Sequence, residues 1–364
     1  MILTLTKILL TLLTLLTLLA LLLVTVMVYS MYQSRPLFTA KLAPDQLAQQ
    51  TLAPTAKALT FARTDDDRLL LVIGLEHGQV RGLDLSQHFP GQPLNPMDLY
   101  NNLGFEALAA LANDSATTNI IEIPVARLVT PMDFSFPHIA VGTNYTDHAE
   151  EVYVDDPPFL FPKLAHASSW HASVDADSSS HLDYEAEICL IPLQDIKGPD
   201  AQVTLGLILC NDFTDRWSLL KELRLGQPMG TTGFATSKGR AGYLPVGYLL
   251  VIPHNPEFYA DINLQLYVNQ GMRQNISARQ MILKPQDIIN GIFAAASQTY
   301  YQGKTIVPLL PAGHIPAGTL LLSGTGGGVI FKPLNAWNPW LYLKRGDKVI
   351  TTANFLGHLD NAIE

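Results

Sequence analysis

Residues Leu182 to Pro192 read LDYEAEICLIP, a β-prone apolar run carrying two acids that stand two apart, Glu185 and Glu187. In an extended strand that spacing puts both carboxylates on one face. Two like charges held side by side need a cation. Asp183 shares the face, either as a further oxygen ligand or as a mere neighbour. Another acid, Asp212, closes a second apolar run, VTLGLILCND, where the chain turns into the polar DFTDR. Two Glu and one Asp make an all-oxygen set, which suits a hard Mg2+ or Mn2+ ion with open water positions better than a closed zinc site. Taken singly, each acid has a plainer reading: an E-x-E pair on a solvated strand face, and an Asp that merely ends a strand.

The segment GTNYTDHAEE (Gly142 to Glu151) places His148 and Glu151 three apart, so they meet on one face if the segment is helical. A His held by a carboxylate is a base near neutral pH, able to take a proton from water. An ordinary surface pair has the same spacing. Lys238, in FATSKGRAGYLPVG, and the SGTGGGV run from Ser323 to Val329 add a cation and a glycine-rich loop whose amides can approach an anion such as a carboxylate. The loop has neither P-loop nor dinucleotide spacing, and GxSxG, HExxH and CxxC are all missing, which removes the usual signatures of serine hydrolases and zinc peptidases.

Short strands must position these groups. From Phe136 onward apolar runs alternate with Gly and Pro turns: HIAVGTNY, EAEICLIPL, VTLGLILCND, GYLLVIP, INLQLYVNQ, TLLLSGTGGGVIF and DKVITTANFLGHL. That pattern predicts a β-rich domain of rolled or barrel-like mixed sheet. Before it, LLLVIGL and QVRGLDL read as strands and DLYNNLGFEALAALAND as a helix ending at Asn113 and Asp114, together a small α+β subdomain over 59–127. A polar stretch, 35–58, reads as a linker or short stalk.

The N-terminal 34 residues are of another kind. No charge occurs from Ile8 to Ser34, and this Leu-rich run is apolar on every face, long enough to cross about 30 Å of hydrocarbon. Its length exceeds a signal-peptide core and no A-x-A site follows, so the expectation is an uncleaved single-pass anchor. Lys7 and the terminal amine precede the span while Arg35 and Lys41 follow it, which leaves orientation nearly tied. The charge deficit, 15% charged residues, stems partly from this run. A net charge of −9 without a basic stripe excludes nucleic acid as partner. Cys189 and Cys210 each sit in an apolar run outside any CxxC pair, and the expectation is buried free thiols.

Order and spacing then bring the fragments together. From about Pro124 to the C-terminus the chain resembles the fumarylacetoacetate hydrolase family: an NYxDHxxE segment at Asn144, Tyr145, Asp147, His148 and Glu151; a YExE strand at Tyr184 to Glu187; and an NDxTxR turn at Asn211, Asp212, Thr214 and Arg216. Ser237, Lys238, Pro245 and Gly247 match the family's SK and PxG, Gly324 and Thr325 its GT, and GDKVITTANFLGHLDN its closing strands.

That resemblance implies an α+β, β-rich fold with the family's β-roll of mixed sheet over 128–364. It implies Glu185, Glu187 and Asp212 as ligands of Mg2+ or Mn2+, His148 with Glu151 as the water-activating pair, and Lys238 as an oxyanion contact. Tyr145, Arg216, Gly324 and Thr325 would contact substrate. A homodimer is implied too, and the cytoplasmic face is slightly favoured. The expected activity is hydrolysis of a C–C bond in a small β-diketo acid, an acylpyruvate or fumarylpyruvate. Decarboxylation of an oxaloacetate-like acid, isomerisation or hydration of a dienoate, and a catalytically silent membrane-anchored scaffold are the alternatives. Two positions depart from the family: Thr143, where a basic residue often precedes the NY pair, and Leu219, where many members have Gln. Both remove polar contacts to substrate.

Overall fold

Ala186–Pro192 is a strand in which every residue is buried, so both faces of the sheet are covered at this point. The computed structural model describes residues 2–33, 35, 37–43, 45–91, 94–114, 119–177, 179 and 181–364. Ser34, at the boundary expected between anchor and linker, lies outside them. Around the central strand an eleven-stranded mixed sheet runs in the order Ile120–Pro124, Gln79–Asp84, Leu69–Glu76, Ala58–Thr64, Leu250–Pro253, Leu205–Asn211, Ala186–Pro192, Thr319–Leu322, Ser135–Gly142 and Phe159–Lys163, with Leu128–Val129 also pairing Ala58–Thr64. Thr319–Leu322 lies parallel to Ser135–Gly142, and the other pairs are antiparallel. The strands of 59–127 join this same sheet, because Ala58–Thr64 pairs with Leu250–Pro253.

A second sheet, four antiparallel strands in the order Gly271–Ser277, Asn263–Val268, Lys348–Ala353 and Gly357–Ala362, packs beside the first. Asn211 joins the two by donating to Thr351 Oγ1 at 3.1 Å. The predicted helix in the N-terminal part is Pro96–Asn113, capped by Asn95 and broken at Gly104, whose φ of 78° is left-handed. The apolar runs from Phe136 onward form strands as read, but Phe159–Lys163 was not among them. Its five residues carry a proline and end on a lysine, and it is recognisable only through its pairing with Ser135–Gly142.

Ile2–Gln33 is a continuous helix, and Thr6–Tyr32 within it is long and apolar enough to cross a membrane. Its leucines from Leu9 to Leu23 are exposed, whereas Ser30 near its end is buried where the helix meets the Pro333–Asn335 turn.

Cys189 and Cys210 are not free thiols. They form a disulfide between neighbouring antiparallel strands, with Cα atoms 5.9 Å apart. The register pairs Cys189 with Ile208 and Cys210 with Glu187, so the cysteines lie diagonally across the strands. Nothing in the local sequence reveals a partner 21 residues away that only strand pairing brings near. Closing a loop of that length restricts the unfolded chain by about 3 kcal/mol. Replacing both cysteines by Ala is therefore expected to lower unfolding free energy by about 3 kcal/mol in urea titrations, and a variant as stable as its parent would contradict this.

Candidate metal centre

Three carboxylates converge under the sheet. Glu187 lies in the Ala186–Pro192 strand with Glu185 just before it, and Asp212 follows the paired Leu205–Asn211 strand. Antiparallel pairing sets Cys210 against Glu187 and Asn211 against Ala186, which carries Asp212 to the two glutamates. The Asp212 N–H donates to the Glu185 carbonyl at 2.9 Å. One oxygen from each of Glu185, Glu187 and Asp212 falls within 4.8 Å of the others, and all three residues are buried.

Buried charge needs partners. Lys238 Nζ donates to Glu185 Oε2 at 2.6 Å and to Asp212 Oδ2 at 2.8 Å. Arg216 reaches Glu185 Oε1 at 2.5 Å and Asp183 Oδ2 at 2.8 Å. Asp183 thus anchors Arg216 and stands outside the carboxylate triad. Lys163, from the strand missed in the sequence, is wholly buried and donates to Asp212 Oδ1 at 2.6 Å, to the Lys238 carbonyl at 2.6 Å and to the Tyr243 carbonyl at 3.0 Å.

Glu187 is the exception. Its Oε2 accepts the Gly324 N–H at 2.7 Å, and it has no cation within ion-pair distance among the described residues. Burial, with Asp212 and Glu185 beside it, pushes its carboxyl well above the usual range. Burial acts the same way on Glu185, but the charges of Lys238, Arg216 and His148 outweigh it and bring that carboxyl down to about 2. With Asp183 counted, four buried carboxylates share three cations, Lys163, Arg216 and Lys238, and the surplus is met by a proton or by a bound cation. All-oxygen donors at this spacing fit a hard divalent ion.

The helix Thr146–Glu151 forms as expected and brings His148 and Glu151 to one face. His148 Nδ1 lies 3.9 Å from Glu151 Oε2, longer than a hydrogen bond, and is buried without a partner. Glu151 is held by the Gly328 N–H at 2.9 Å and by Lys332 at 3.0 Å. Burial raises its carboxyl, yet His148, Lys332 and that N–H together keep it below its ordinary value. Asn144 moors the start of this helix by donating to the Ser323 carbonyl at 2.8 Å and accepting from Leu283 N at 2.6 Å.

The glycine-rich loop approaches carboxylates, but the protein's own: Gly324 N–H binds Glu187, Gly327 N–H binds Asp147 at 3.0 Å, and Gly328 N–H binds Glu151. Gly328 has φ 102°, and a Cβ there would meet the Arg273 carbonyl at 2.1 Å, so only glycine allows this approach. Gln274, from the second sheet and unread in the sequence, ties the loop to the metal-site strand. It accepts from Ala186 N at 3.0 Å and donates to Thr325 Oγ1 and the Gly326 carbonyl, each at 2.9 Å.

A cavity of about 340 Å3 opens beside this cluster, walled by Glu185, Arg216, Lys238, His148, Thr325 and Thr143 on its polar side. Leu219 also lines it, while Tyr145 is fully buried away from the wall. Thr143 has φ 52°, rare for a β-branched residue, and its Oγ1, like His148 Nδ1, is buried without a partner.

Residues 137–364 match the family model described as Fumarylacetoacetate (FAA) hydrolase C-terminal. The chain is 27% identical to a mitochondrial oxaloacetate tautomerase of Rattus norvegicus, over 80% of this chain and 87% of that protein. It is also 27% identical to a 2,4-didehydro-3-deoxy-L-rhamnonate hydrolase of a Sphingomonas strain, over 58% of this chain and 73% of that protein. Among solved structures, maleylpyruvate hydrolase from Sphingobium superposes with a TM-score of 0.53 at 19% identity, covering 84% of this chain and 98% of that one, and so shares the fold.

Proposed function

Because the chain belongs to the fumarylacetoacetate hydrolase family, whose relatives named above carry out hydrolysis and tautomerisation of keto acids, we propose that it is a divalent-metal-dependent hydrolase that cleaves a C–C bond in a β-diketo acid of the acylpyruvate type. The observation that carries this reading is the shared cavity wall: His148, backed by Glu151, lines the same space as Glu185 and Lys238. Isomerisation and decarboxylation do not require an activated water, whereas hydrolysis does.

Glu185, Glu187 and Asp212 would hold Mg2+ or Mn2+, which when bound supplies a Lewis acid for adjacent keto and carboxylate oxygens and offsets the charge they gain as the C–C bond breaks. His148 Nε2 takes the proton from a water directed at the distal carbonyl, and Glu151, on the Nδ1 side of the ring, orients the imidazole and stabilises its charged form. Donor counting separates the two lysines. An ammonium has three N–H groups. All three of Lys163 are taken within the protein, so that residue is structural. Lys238 gives two, to Glu185 and Asp212, and lines the cavity with the third available for the oxyanion of the tetrahedral intermediate. Arg216 keeps Glu185 ionised and oriented.

The long apolar helix is, on this proposal, a membrane anchor, and the enzyme works as a homodimer on a small keto acid at a membrane surface. The buried disulfide favours an oxidising compartment for the catalytic part over the cytoplasmic face.

Replacing His148 by Ala is expected to slow Mg2+-dependent acylpyruvate hydrolysis by about 100- to 10,000-fold while leaving a Mg2+-induced rise in Tm intact. Oxaloacetate decarboxylation, if the site supports it, would persist in the same variant. Undiminished hydrolysis would remove His148 from the mechanism.

A further inference from the structure

Beyond its six polar side chains, the cavity wall is hydrocarbon. Phe159 and Phe234 stand with ring centroids 4.9 Å apart, and Leu219, Leu223, Met229 and Val154 continue the surface. The wall has two cations, Arg216 and Lys238, and both are engaged by Glu185. The third Lys238 N–H is assigned above to the oxyanion, so neither is left for a second anionic group on the substrate. A carboxylate at the far end of a bound acid would lose its water against this wall and find no countercharge.

We propose that the cavity selects β-diketo acids whose distal acyl group is an uncharged alkyl or aryl chain, and that it disfavours dicarboxylates such as fumarylpyruvate. The proposal rests on the acylpyruvate reading above and names the substrate class within it. Thr143 and Leu219 take a direct part. Both line the cavity wall and neither brings a charge to it, Leu219 adding a methyl-rich surface. The placement of the N-terminal helix agrees, because its end meets the Pro333–Asn335 turn and Pro333 lines the cavity. On the anchor reading, the mouth of the site then lies near the bilayer in which apolar acids concentrate.

The test is kcat/KM for the full chain in lipid nanodiscs with Mg2+, on acetylpyruvate, hexanoylpyruvate, benzoylpyruvate and fumarylpyruvate. Each buried methylene is worth about threefold to fourfold, so hexanoylpyruvate is expected to exceed acetylpyruvate by at least about tenfold even with partial burial. It is expected to exceed fumarylpyruvate by a similar factor. Rates independent of chain length, or fumarylpyruvate equal to or better than hexanoylpyruvate, would overturn the apolar subsite while leaving the hydrolase reading standing. If no acylpyruvate is cleaved, the hydrolase reading fails, and binding decides the subsite separately. With Mg2+ present, α-ketooctanoate should raise Tm more than α-ketoglutarate does, and the reverse or equality overturns the proposal.

Leu223 sits at the rim, 37% exposed, so Leu223→Arg adds a cation without burying it. That variant is expected to shift the fumarylpyruvate-to-hexanoylpyruvate ratio upward by at least about fivefold, as a newly supplied charge-assisted hydrogen bond would. An unchanged ratio in a folded variant counts against the subsite.

Discussion

Replacing Lys163 by Met is expected to cost about 3–5 kcal/mol of folding stability and to abolish turnover, the penalty typical of removing one partner from a buried ion pair. The reasons are local. Lys163 is wholly buried, and its three donors hold Asp212, the Lys238 carbonyl and the Tyr243 carbonyl. Without it, Asp212 keeps Lys238 alone among three clustered carboxylates, the Lys238 carbonyl loses its lysine donor, and the Tyr243 carbonyl keeps only the Phe213 N–H at 3.2 Å. Arg is not expected to rescue, since a planar fork cannot place donors on three acceptors gathered around one nitrogen. Urea unfolding of the full chain checks this, and a Lys163→Met protein within about 1 kcal/mol of the parent would show that Lys163 is not the keystone of the cluster.

Replacing Glu187 by Gln is expected to separate metal binding from folding. Glu187 is the carboxylate without a cation, and its carboxyl is raised well above its ordinary value of 4.5, first by burial and then by Asp212 and Glu185. A group whose folded pKa lies above its unfolded one takes up a proton on folding. The stability it contributes is full below the unfolded pKa and is lost as pH rises through the folded one. The metal-free protein should therefore lose stability as pH rises from 4.5 through that elevated pKa. Glu187→Gln should flatten this dependence and leave the metal-free protein at least as stable at neutral pH. Mg2+ acts in the opposite sense. At roughly a hundredfold excess over its dissociation constant, it should stabilise the parent by about 2.7 kcal/mol, increasingly with pH because it competes with the proton, and should leave the variant nearly unchanged. A variant that retains the parent's Mg2+ response would exclude Glu187 as a ligand.

What the sequence made legible follows from how local each signal is. Glu185 and Glu187 declare themselves through a strand spacing of two, and His148 and Glu151 through a helical spacing of three. Asp212 marks the end of an apolar run, and the structure gathers the three acids within 4.8 Å. The mixed sheet and most strand positions are readable for the same reason. Lys163 and the disulfide are not, because each depends on pairing between strands about twenty residues apart, and Gln274 is not, because its side chain meets Ala186 only where the second sheet packs on the first. The glycine-rich loop was half legible. Its need for bare backbone was correct, but its amides are taken by Glu187, Asp147 and Glu151, which makes it a clamp on the protein's own carboxylates and leaves those amides committed before any substrate arrives.

Thr143 and Leu219 mark the point where family pattern and this chain part. Both line the cavity, so the two departures seen in sequence fall on the wall beside Glu185, His148 and Lys238. On the proposed reading the chemistry belongs to the acids, His148 and Lys238, and the choice of substrate to the hydrocarbon wall.

Crystals soaked in Mn2+ and measured at the manganese absorption edge examine the carboxylate cluster most directly. The expected result is one anomalous peak at about 2.0–2.3 Å from an oxygen of each of Glu185, Glu187 and Asp212. A peak elsewhere, or none at saturating Mn2+ with Lys238 still bridging Glu185 and Asp212, would contradict the metal-dependent account.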